Sequence, residues 1–252
     1  MARRGHAVTI FTLNEAGRFA RRMTEQGIEV VAMAKRQRYD WSLLWRLRAA
    51  FRQRRLQVVH THLWGANCWG RLAAWLAGVP VIIAHEHGMQ PWRGRWHFFC
   101  DWWLAHVTDR IIFVSRQVMQ SYQARSGVAL AKCALIPNGV VSDGGAGDRA
   151  ALRRAFGWGA EERVVISVGR LAPEKGYDDL LTAFERVVTR VPARLVIIGD
   201  GPEREALVRM KLTAKLDHAV QFVGVQEDVR PWLAAADLYV QPSHREGLPL
   251  AI

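Results

Sequence analysis

The chain has 252 residues, half of them hydrophobic, which is enough for one large or two modest hydrophobic cores. No segment approaches the roughly 20 apolar residues of a transmembrane helix, and the N-terminal residues are too polar for a secretory signal peptide. The three cysteines, Cys68, Cys100 and Cys133, form neither a metal-ligand spacing nor a disulfide framework. This cysteine usage favours a reducing, cytoplasmic location.

The net charge of +12 belongs to the first part of the chain. Residues 1–150 carry 21 of the 35 Lys and Arg side chains and only 9 of the 23 acidic ones, whereas residues 151–252 are balanced. Nine of the eleven tryptophans also lie in the first part. A change of surface character at one boundary predicts two domains.

Short β-branched segments alternate with longer amphipathic segments along the whole chain. The predicted strands are residues 8–12, 28–33, 57–62, 80–86, 110–115, 164–169, 194–200, 219–224 and 237–242. The predicted helices are residues 15–26, 41–54, 66–77, 92–107, 177–190, 202–215 and 228–236. Such alternation is typical of parallel sheets with helices on both faces. We therefore expect an α/β fold of two Rossmann-like domains that face a cleft, residues 1–145 and 155–252, with a linker at residues 144–147.

Both ends of the chain read as incomplete domain ends. Residues 2–12 predict the end of a helix, a glycine turn and a strand, but no earlier strand and loop precede that helix. The chain also stops a few residues after a predicted strand, before any helix that would cover it. We expect both domains to be incomplete.

The segment 167–176 places two cations between a predicted strand and a predicted helix. Arg170 and Lys175 lie beside the helix N-terminus, whose unpaired backbone N–H groups also favour negative charge. The segment therefore predicts an anion site suited to a diphosphate. The alternative is a solvated loop in which Lys175 pairs with Glu174 or Asp178.

A second turn, at residues 197–205, carries Gly199 and Gly201. Their spacing partly matches a dinucleotide-binding fingerprint, but Arg204 stands where the third glycine is expected. We interpret the segment as a tight strand-to-helix turn that a ligand passes nearby.

The segment 241–252 places a carboxylate after the last predicted strand. Glu246, together with the backbone N–H groups of Gly247 and Leu248, would bind sugar hydroxyls and phosphate. The alternative is that Ser243 and Glu246 form a capping box at the start of a helix. The two roles are compatible.

Two pairs of histidines lie near the ends of predicted strands in the first domain. His60 and His62 form one pair, and His85 and His87 form the other. We interpret the two members of each pair as pointing to opposite faces of an extended segment. The sequence therefore predicts no metal site here, and one of His85 and His87 facing the cleft.

Seven segments form an ordered set that covers nearly the whole chain. They are HTHLWGANCWGRLAAWLAGVPVIIAHEHG, DRIIFVS, LIPNGV, SVGRLAPEKG, LVIIGDGPE, FVGVQEDVRPWLAAADLYVQPS and EGLPLAI. Together they resemble retaining glycosyltransferases of glycosyltransferase family 4, which have the GT-B fold. The resemblance implies an acceptor-side domain at residues 1–145 and a nucleotide-sugar donor domain at residues 155–252. The implied reaction transfers a sugar from a nucleotide diphosphate to an acceptor hydroxyl with retention of configuration.

The resemblance assigns roles to six residues. Two cations neutralise the donor diphosphate, and the first glutamate of a Glu-x7-Glu motif contacts the donor sugar beside two backbone N–H groups. A histidine of the N-terminal domain reaches toward the transferred sugar. The implied catalytic residues are Glu246 and His87, and the implied diphosphate-binding residues are Arg170, Lys175, Gly247 and Leu248.

The resemblance also implies what this chain lacks. The second glutamate of the Glu-x7-Glu motif would fall at position 254, beyond Ile252, and the glycine-rich loop after the first strand would precede Met1. We therefore expect the chain itself to bind a nucleotide diphosphate weakly and to show no transfer. No metal and no cofactor are expected, because two cations neutralise the diphosphate.

The basic first part of the chain contains two segments that could form a lipid-binding surface. Residues 40–57 and 91–103 mix tryptophans with arginines, which is typical of contact with anionic lipid at the inner face of a membrane. The alternative is an ordinary helix with Trp41, Leu44 and Trp45 on its core face and arginines on its solvent-exposed face. Nucleic-acid binding has no supporting motif. On either interpretation we expect exposed arginines at Arg46, Arg48, Arg52, Arg54 and Arg55.

Two other functions are compatible with the same segments. One is a non-catalytic nucleotide-binding remnant, and the other is a GT-B sugar-nucleotide epimerase; the spacing from Arg170 to Lys175 and the EGLPLAI segment favour the transferase. The sequence does not identify the nucleotide, the sugar, the acceptor or the oligomeric state.

Overall fold

The computed structural model describes residues 1–17, 19–37, 39–88, 90–140 and 147–249. The chain divides into two compact units, Met1–Asn138 (unit 1) and Gly139–Ile252 (unit 2). Every strand pair in the described ranges is parallel, so the expected α/β fold with parallel sheets is confirmed. Most of the expected linker, residues 144–147, lies outside the described residues. Within those ranges no helix combines the length and the hydropathy that a bilayer crossing requires.

Unit 1 contains two parallel sheets. The first pairs β1 (Thr9–Thr12) with β2 (Glu29–Ala32), and the second has the order β3 (Val58–His62), β4 (Val81–Glu86), β5 (Arg110–Phe113) and β6 (Cys133–Leu135). Its helices are α1 (Ala20–Glu25), α2 (Trp41–Gln53), α3 (Leu63–Ala77), α4 (Arg95–Ala105) and α5 (Arg116–Ser126). In the strands β3 and β4, buried and more exposed residues alternate, as the two-residue period of a strand requires.

Unit 2 contains one four-stranded parallel sheet. Its strands are β7 (Arg163–Val168), β8 (Ala193–Ile198), β9 (Val220–Gly224) and β10 (Leu238–Tyr239), in the order β10-β7-β8-β9. Its helices are α6 (Arg149–Ala155), α7 (Tyr177–Val188), α8 (Arg204–Thr213) and α9 (Arg230–Ala235). Because β10 pairs with β7, the loops that follow these two strands meet at one edge of the sheet.

Three elements were not expected from the periodicity. In α5 the buried residues are only Val118, Tyr122 and Ser126, a stripe too narrow to give an apolar pattern. The helix α6 has seven residues and none of them is buried, and β6 is a three-residue edge strand. Conversely, the predicted strand 237–242 pairs over two residues only.

The core face of α2 excludes its tryptophans. The buried residues of this helix are Leu43, Leu44, Leu47 and Phe51. Trp41 and Trp45 are 65% and 58% exposed, so the interpretation that places them on the core face is wrong. Four aliphatic or aromatic side chains already fill the space between α2 and α3.

Three of the five arginines in residues 46–55 are half-buried, which corrects the expectation that all are exposed. The guanidinium groups of Arg46 and Arg54 pair with carboxylates at 3.0 and 2.6 Å, and that of Arg48 donates to a backbone carbonyl at 3.1 Å. These contacts hold the charges against unit 1. Of these five arginines, only Arg52 and Arg55 are exposed.

A cluster of charged side chains is buried in unit 1. Arg71, Glu86, Arg93 and Asp101 are each no more than 3% exposed. Asp101 forms ion pairs with both arginines, and Glu86 accepts hydrogen bonds from Arg93 at 3.2 Å and from Asn67 at 3.0 Å. Burial raises the pKa of Glu86 even though Arg93 opposes the shift. The cluster ties α3 and α4 to the end of β4.

Candidate active site

Two loops that follow neighbouring strands of unit 2 are joined directly. The first runs from Gly169 to Gly176 after β7, and the second follows β10. The backbone N–H of His244 donates to the carbonyl of Glu174 at 3.0 Å. Gly176 has φ of +65°, and a Cβ there would lie 2.4 Å from the carbonyl oxygen of Pro242. Glycine is therefore required where the two loops touch.

The contact between these loops brings Lys175 to Glu246. The Lys175 Nζ lies 2.6 Å from the Glu246 Oε1, and both side chains are about one quarter exposed, at 22% and 23%. The alternative in which Lys175 pairs with Glu174 or Asp178 is therefore wrong. The two residues are 71 positions apart in sequence and meet because β7 and β10 are neighbours.

The carboxylate of Glu246 is held from one side only. Its Oε1 also accepts from Ser243 Oγ at 2.7 Å and from Gln241 Nε2 at 2.8 Å, while Oε2 accepts no hydrogen bond from any described residue. Burial raises the pKa of Glu246, but the hydrogen bonds from Lys175 and Ser243 outweigh it and hold the pKa below its ordinary value. The carboxylate is therefore ionised at neutral pH, with one oxygen available to a ligand hydroxyl.

The capping-box interpretation of Ser243 and Glu246 does not describe this segment. In a capping box the serine oxygen accepts a bond from the backbone N–H of the glutamate. Here the serine hydroxyl donates to the glutamate carboxylate instead. As far as Pro249, where the described part of the chain ends, no helix begins after Ser243.

The remaining predicted diphosphate ligands carry unpaired donors. Arg170 is exposed and forms no hydrogen bond or ion pair within the described ranges. Gly247 and Leu248 are half-buried, and their backbone N–H groups donate to none of the residues described. The Arg170 guanidinium and these two amides, each without a partner among the described residues, thus lie in the same two loops as the lysine–glutamate pair.

Sequence reasoning missed Gln241 and Tyr239, which position Glu246. The Tyr239 hydroxyl donates to Gln241 Oε1, and Gln241 Nε2 donates to Ser243 Oγ at 2.7 Å. Burial, then the neighbouring Tyr177, raises the pKa of Tyr239 to about 12, so its hydroxyl stays protonated as a donor. The spacing of Tyr239, Gln241 and Ser243 could have indicated this arrangement, because residues two apart in an extended segment lie on the same face.

The turn at residues 197–205 is a close backbone contact, as interpreted from the sequence. Gly199 has φ of +138°, and a Cβ there would lie 1.9 Å from the carbonyl oxygen of Gly169. The backbone N–H of Leu171 donates to the carbonyl of Asp200 at 3.0 Å. The turn therefore supports the loop that carries Arg170.

We expect Gly199→Ala to lower the free energy of unfolding by about 3 kcal/mol or more, because it adds a backbone clash to a conformation that is essentially restricted to glycine. Urea denaturation followed by circular dichroism measures the loss. Gly224→Ala is the matched control: Gly224 has φ of +71° but open space around its Cβ position. It should cost about 1–2 kcal/mol, from backbone strain alone. Equal losses in the two variants would show that the close contact contributes nothing.

The histidines of unit 1 form one cluster, which overturns the expectation that each pair points to opposite faces. Residues two apart on a strand lie on the same face. The ring centroids of His60 and His62 are 4.3 Å apart, and those of His85 and His87 are 4.2 Å apart. The register places His62 beside His85, and the two pairs stack across the strands, His60 on His85 and His62 on His87. The geometric reason for excluding a metal site therefore does not hold.

Packing keeps these imidazoles neutral at pH 7. Burial, followed by the neighbouring histidines, lowers the pKa values of His62 and His85 to about 4. Burial also lowers the pKa of His60 and of His87. The Nε2 of His87, the predicted catalytic histidine, is hydrogen-bonded to the Nδ1 of His62 at 2.9 Å.

Two enzymes match much of the chain. It is 28% identical over 226 residues to UDP-Gal:alpha-D-GlcNAc-diphosphoundecaprenol alpha-1,3-galactosyltransferase of Escherichia coli, which covers 84% of this chain and 58% of that enzyme. It is 35% identical over 189 residues to the GDP-mannose-dependent alpha-(1-6)-phosphatidylinositol monomannoside mannosyltransferase of Mycobacterium tuberculosis, which covers 68% of this chain and 46% of that enzyme. The chain therefore spans about half the length of these two relatives.

Solved structures show the same fold. The Anabaena protein Alr3699/HepE in complex with UDP and glucose superimposes with a TM-score of 0.79 at 20% identity, over 93% of this chain and 66% of that one. Sucrose-phosphate synthase from Thermosynechococcus elongatus superimposes with a TM-score of 0.74 at 19% identity, over 99% of this chain and 69% of that one. At these identities the likeness establishes the GT-B fold.

Sequence models of two domain families cover the chain in tandem. Glycosyl transferases group 1 matches residues 148–252, which include the contact between Lys175 and Glu246. Glycosyltransferase Family 4 matches residues 1–143, more than half of the chain, which include the histidine cluster. The chain therefore belongs to glycosyltransferase family 4 and has the GT-B fold.

Proposed function

We propose that the protein transfers a sugar from a nucleotide diphosphate to an acceptor hydroxyl, with retention of the anomeric configuration. The observation that carries the proposal is the contact between Lys175 and Glu246, in the unit that matches the group 1 glycosyl transferases; Arg170 lies in the same loop as Lys175. Cations suited to a diphosphate and a carboxylate suited to sugar hydroxyls are thus held at one sheet edge. Retention follows from the family resemblance.

The arrangement can stabilise a departing diphosphate. As the glycosyl bond breaks, negative charge grows on the phosphate oxygens, and Arg170 with Lys175 would oppose it electrostatically. Donors held in place before the reaction are usually the largest catalytic contribution. The backbone N–H groups of Gly247 and Leu248 would add two uncharged donors.

Glu246 would bind the donor sugar through its free oxygen. Three hydrogen-bond donors, from Lys175, Gln241 and Ser243, fix the Oε1 and leave Oε2 without a partner among the described residues. A fixed carboxylate oxygen is a strong acceptor for a sugar hydroxyl. Its negative charge would also stabilise the positive charge that develops on the glycosyl carbon.

Glu246→Gln should lower kcat by about 10²-fold while leaving donor affinity within about threefold, because the carboxylate acts on the sugar and not on the phosphates. The measurement is steady-state transfer with a panel of UDP- and GDP-sugars, using enzyme expressed from its full reading frame. Glu185→Gln, an exposed glutamate on α7, is the matched control. A loss of affinity with unchanged kcat would contradict this role.

The same assay separates the competing functions. A transferase forms a glycosylated acceptor, an epimerase converts one sugar nucleotide into its epimer without an acceptor, and a remnant does neither. We propose lipid-linked sugars as the first acceptors to assay. Both relatives described above act on lipid-linked sugars, a diphosphoundecaprenol and a phosphatidylinositol mannoside.

We further propose that the first unit meets an anionic lipid surface. Eight aromatic side chains within residues 41–103 are 43–69% exposed: Trp41, Trp45, Trp75, Trp92, Trp96, Phe99, Trp102 and Trp103. Along α4, Trp96, Phe99 and Trp102 stack on one another with centroids 5.4 and 6.0 Å apart. Trp103 of α4 also contacts Trp75 of α3. An aromatic surface on a basic unit is complementary to the interface of an anionic bilayer.

At physiological salt, the protein should float with vesicles that contain anionic lipid and should remain in the bottom fraction of the gradient with neutral vesicles. Changing Trp96, Phe99 and Trp102 together to serine should abolish most of the flotation. Leu212→Ser, at an exposed apolar position of α8 in unit 2, is the control and should leave it unchanged. Equal flotation with neutral and anionic vesicles at physiological salt would argue against the electrostatic part of this proposal.

A further inference from the structure

The four clustered histidines contain a set with the spacing of metal ligands. His60, His62 and His85 each offer one ring nitrogen, and these three nitrogens lie within 4.8 Å of one another. In a tetrahedral zinc site with bonds of about 2.0–2.1 Å, ligand nitrogens lie about 3.3 Å apart. To share one ion, the three nitrogens must approach one another by up to about 1.5 Å, which requires the stacked rings of His60 and His85 to turn toward each other.

The central histidine has unused donors and acceptors. Both ring nitrogens of His85 are buried, and neither has a hydrogen-bond partner in the described part of the chain. Buried polar groups without partners are uncommon and call for an explanation. On the opposite face of the same strands, Thr61 and Glu86 are fully engaged in hydrogen bonds. An ion bound at His85 would supply the partner that the protein does not.

The cluster lies on two paired strands and beside one strained backbone position. His60, His62 and His85 project from the paired strands β3 and β4, and His62 lies opposite His85 in the register. Leu63, which follows His62 at the start of α3, has φ of +67°, a conformation that residues other than glycine rarely adopt. Strain of this kind concentrates at functional sites.

We propose that His60, His62 and His85 bind one divalent transition-metal ion, zinc by preference, through their imidazole nitrogens. Imidazole ligands suit zinc, and three of them leave a fourth coordination position for water or a substrate oxygen. His87 then acts from outside the coordination sphere: its hydrogen bond to the Nδ1 of His62 leaves the Nε2 of His62 for the ion. This site lies in unit 1 and does not depend on the proposed sugar transfer.

Calorimetric titration of the chelator-treated protein with zinc chloride tests the site, provided that the protein carries no histidine tag. We expect one ion per chain with a Kd in the micromolar range or below. Cobalt(II) in its place should give the visible absorption bands of a four-coordinate ion. His60→Ala and His85→Phe should each lower zinc affinity by about 10²-fold or more, because each removes a ligand.

Two further variants make the result decisive. His218→Ala removes an exposed histidine in unit 2 and should bind zinc as the unchanged protein does. Because His60 occupies an exposed position of β3, we expect His60→Ala to fold even if His85→Phe does not. Zinc should raise the melting temperature of the unchanged protein and of His218→Ala but not of His60→Ala. Equal zinc affinity in His60→Ala and the unchanged protein overturns the proposal.

Discussion

In enzyme expressed from its full reading frame, Arg170→Ala should lower kcat/KM for sugar transfer by about 10²-fold or more, the scale of losing one charge-stabilising donor. Arg170 is exposed and has no ion pair within the described ranges, so its whole charge is available to the diphosphate. Lys175→Ala should have an effect of similar size. Without a donor, Lys175 is paired with Glu246, and the incoming phosphate would share it.

Arg190→Ala is the matched control for Arg170→Ala. Arg190 is exposed, lies after α7 in the same unit, and pairs with no acidic side chain in the ranges described. Its removal lowers the net positive charge of the unit by the same amount and should change kcat/KM by less than about twofold, since distant exposed charges are screened by salt. If Arg170→Ala and Arg190→Ala give equal rates, the diphosphate is bound elsewhere.

Asp101→Ala should lower the free energy of unfolding of unit 1 by about 3–5 kcal/mol, because it leaves two buried arginines without their shared partner. Arg71 and Asp101 are fully buried, and Arg93 is 3% exposed. The variant does not remove a residue of the candidate active site in unit 2. Urea denaturation followed by circular dichroism measures the effect, and unit 1 should unfold at lower urea while the transition of unit 2 stays in place.

Glu25→Ala provides the comparison for this loss. Glu25 pairs with Arg21 on the surface of α1, where the two side chains are 60% and 90% exposed. An exposed pair of this kind contributes about 0.2–1 kcal/mol at most. If the two variants lost similar amounts, the buried cluster would have no special role in stability.

The order of strands and helices could be predicted because buried strands and the buried faces of helices each leave a recognisable pattern of apolar residues in the sequence. Central strands such as β7 and β8 are almost entirely buried and read as β-branched runs. Helices with a broad apolar face, such as α2 and α7, show apolar residues at helical spacing. The helix α6, with no buried residue, carries no such pattern and was missed.

The composition of the candidate site was only partly predictable. Arg170, Lys175 and Glu246 were proposed as site residues because each follows a predicted strand of one sheet, and the structure brings Lys175 and Glu246 into contact. The ion pair between Lys175 and Glu246 depends on the pairing of β10 with β7, and strand order cannot be derived from alternation alone. Periodicity also does not show that a side chain such as Gln241 hydrogen-bonds to the carboxylate.

The histidine cluster was missed for a different reason. The two-residue period of a strand places His60 with His62, and His85 with His87, on the same face, so the expectation of opposite faces misapplied the period. The register that sets one pair beside the other is a tertiary property. The exposure of Trp41 and Trp45 on α2 also depends on tertiary packing, because their spacing in the sequence is compatible with a core face.

The central claim is that unit 2 binds the diphosphate of a nucleotide-sugar donor through Arg170 and Lys175. Isothermal titration of this chain with UDP and with GDP tests it most directly, since it requires neither the acceptor nor turnover. We predict binding of at least one of the two nucleotides, with affinity lowered at least tenfold in Arg170→Ala and in Lys175→Ala and unchanged in Arg190→Ala. Glu246→Gln should bind at least as tightly, because it removes the carboxylate that competes for Lys175. Nucleotide binding of equal affinity in all four variants would contradict the account.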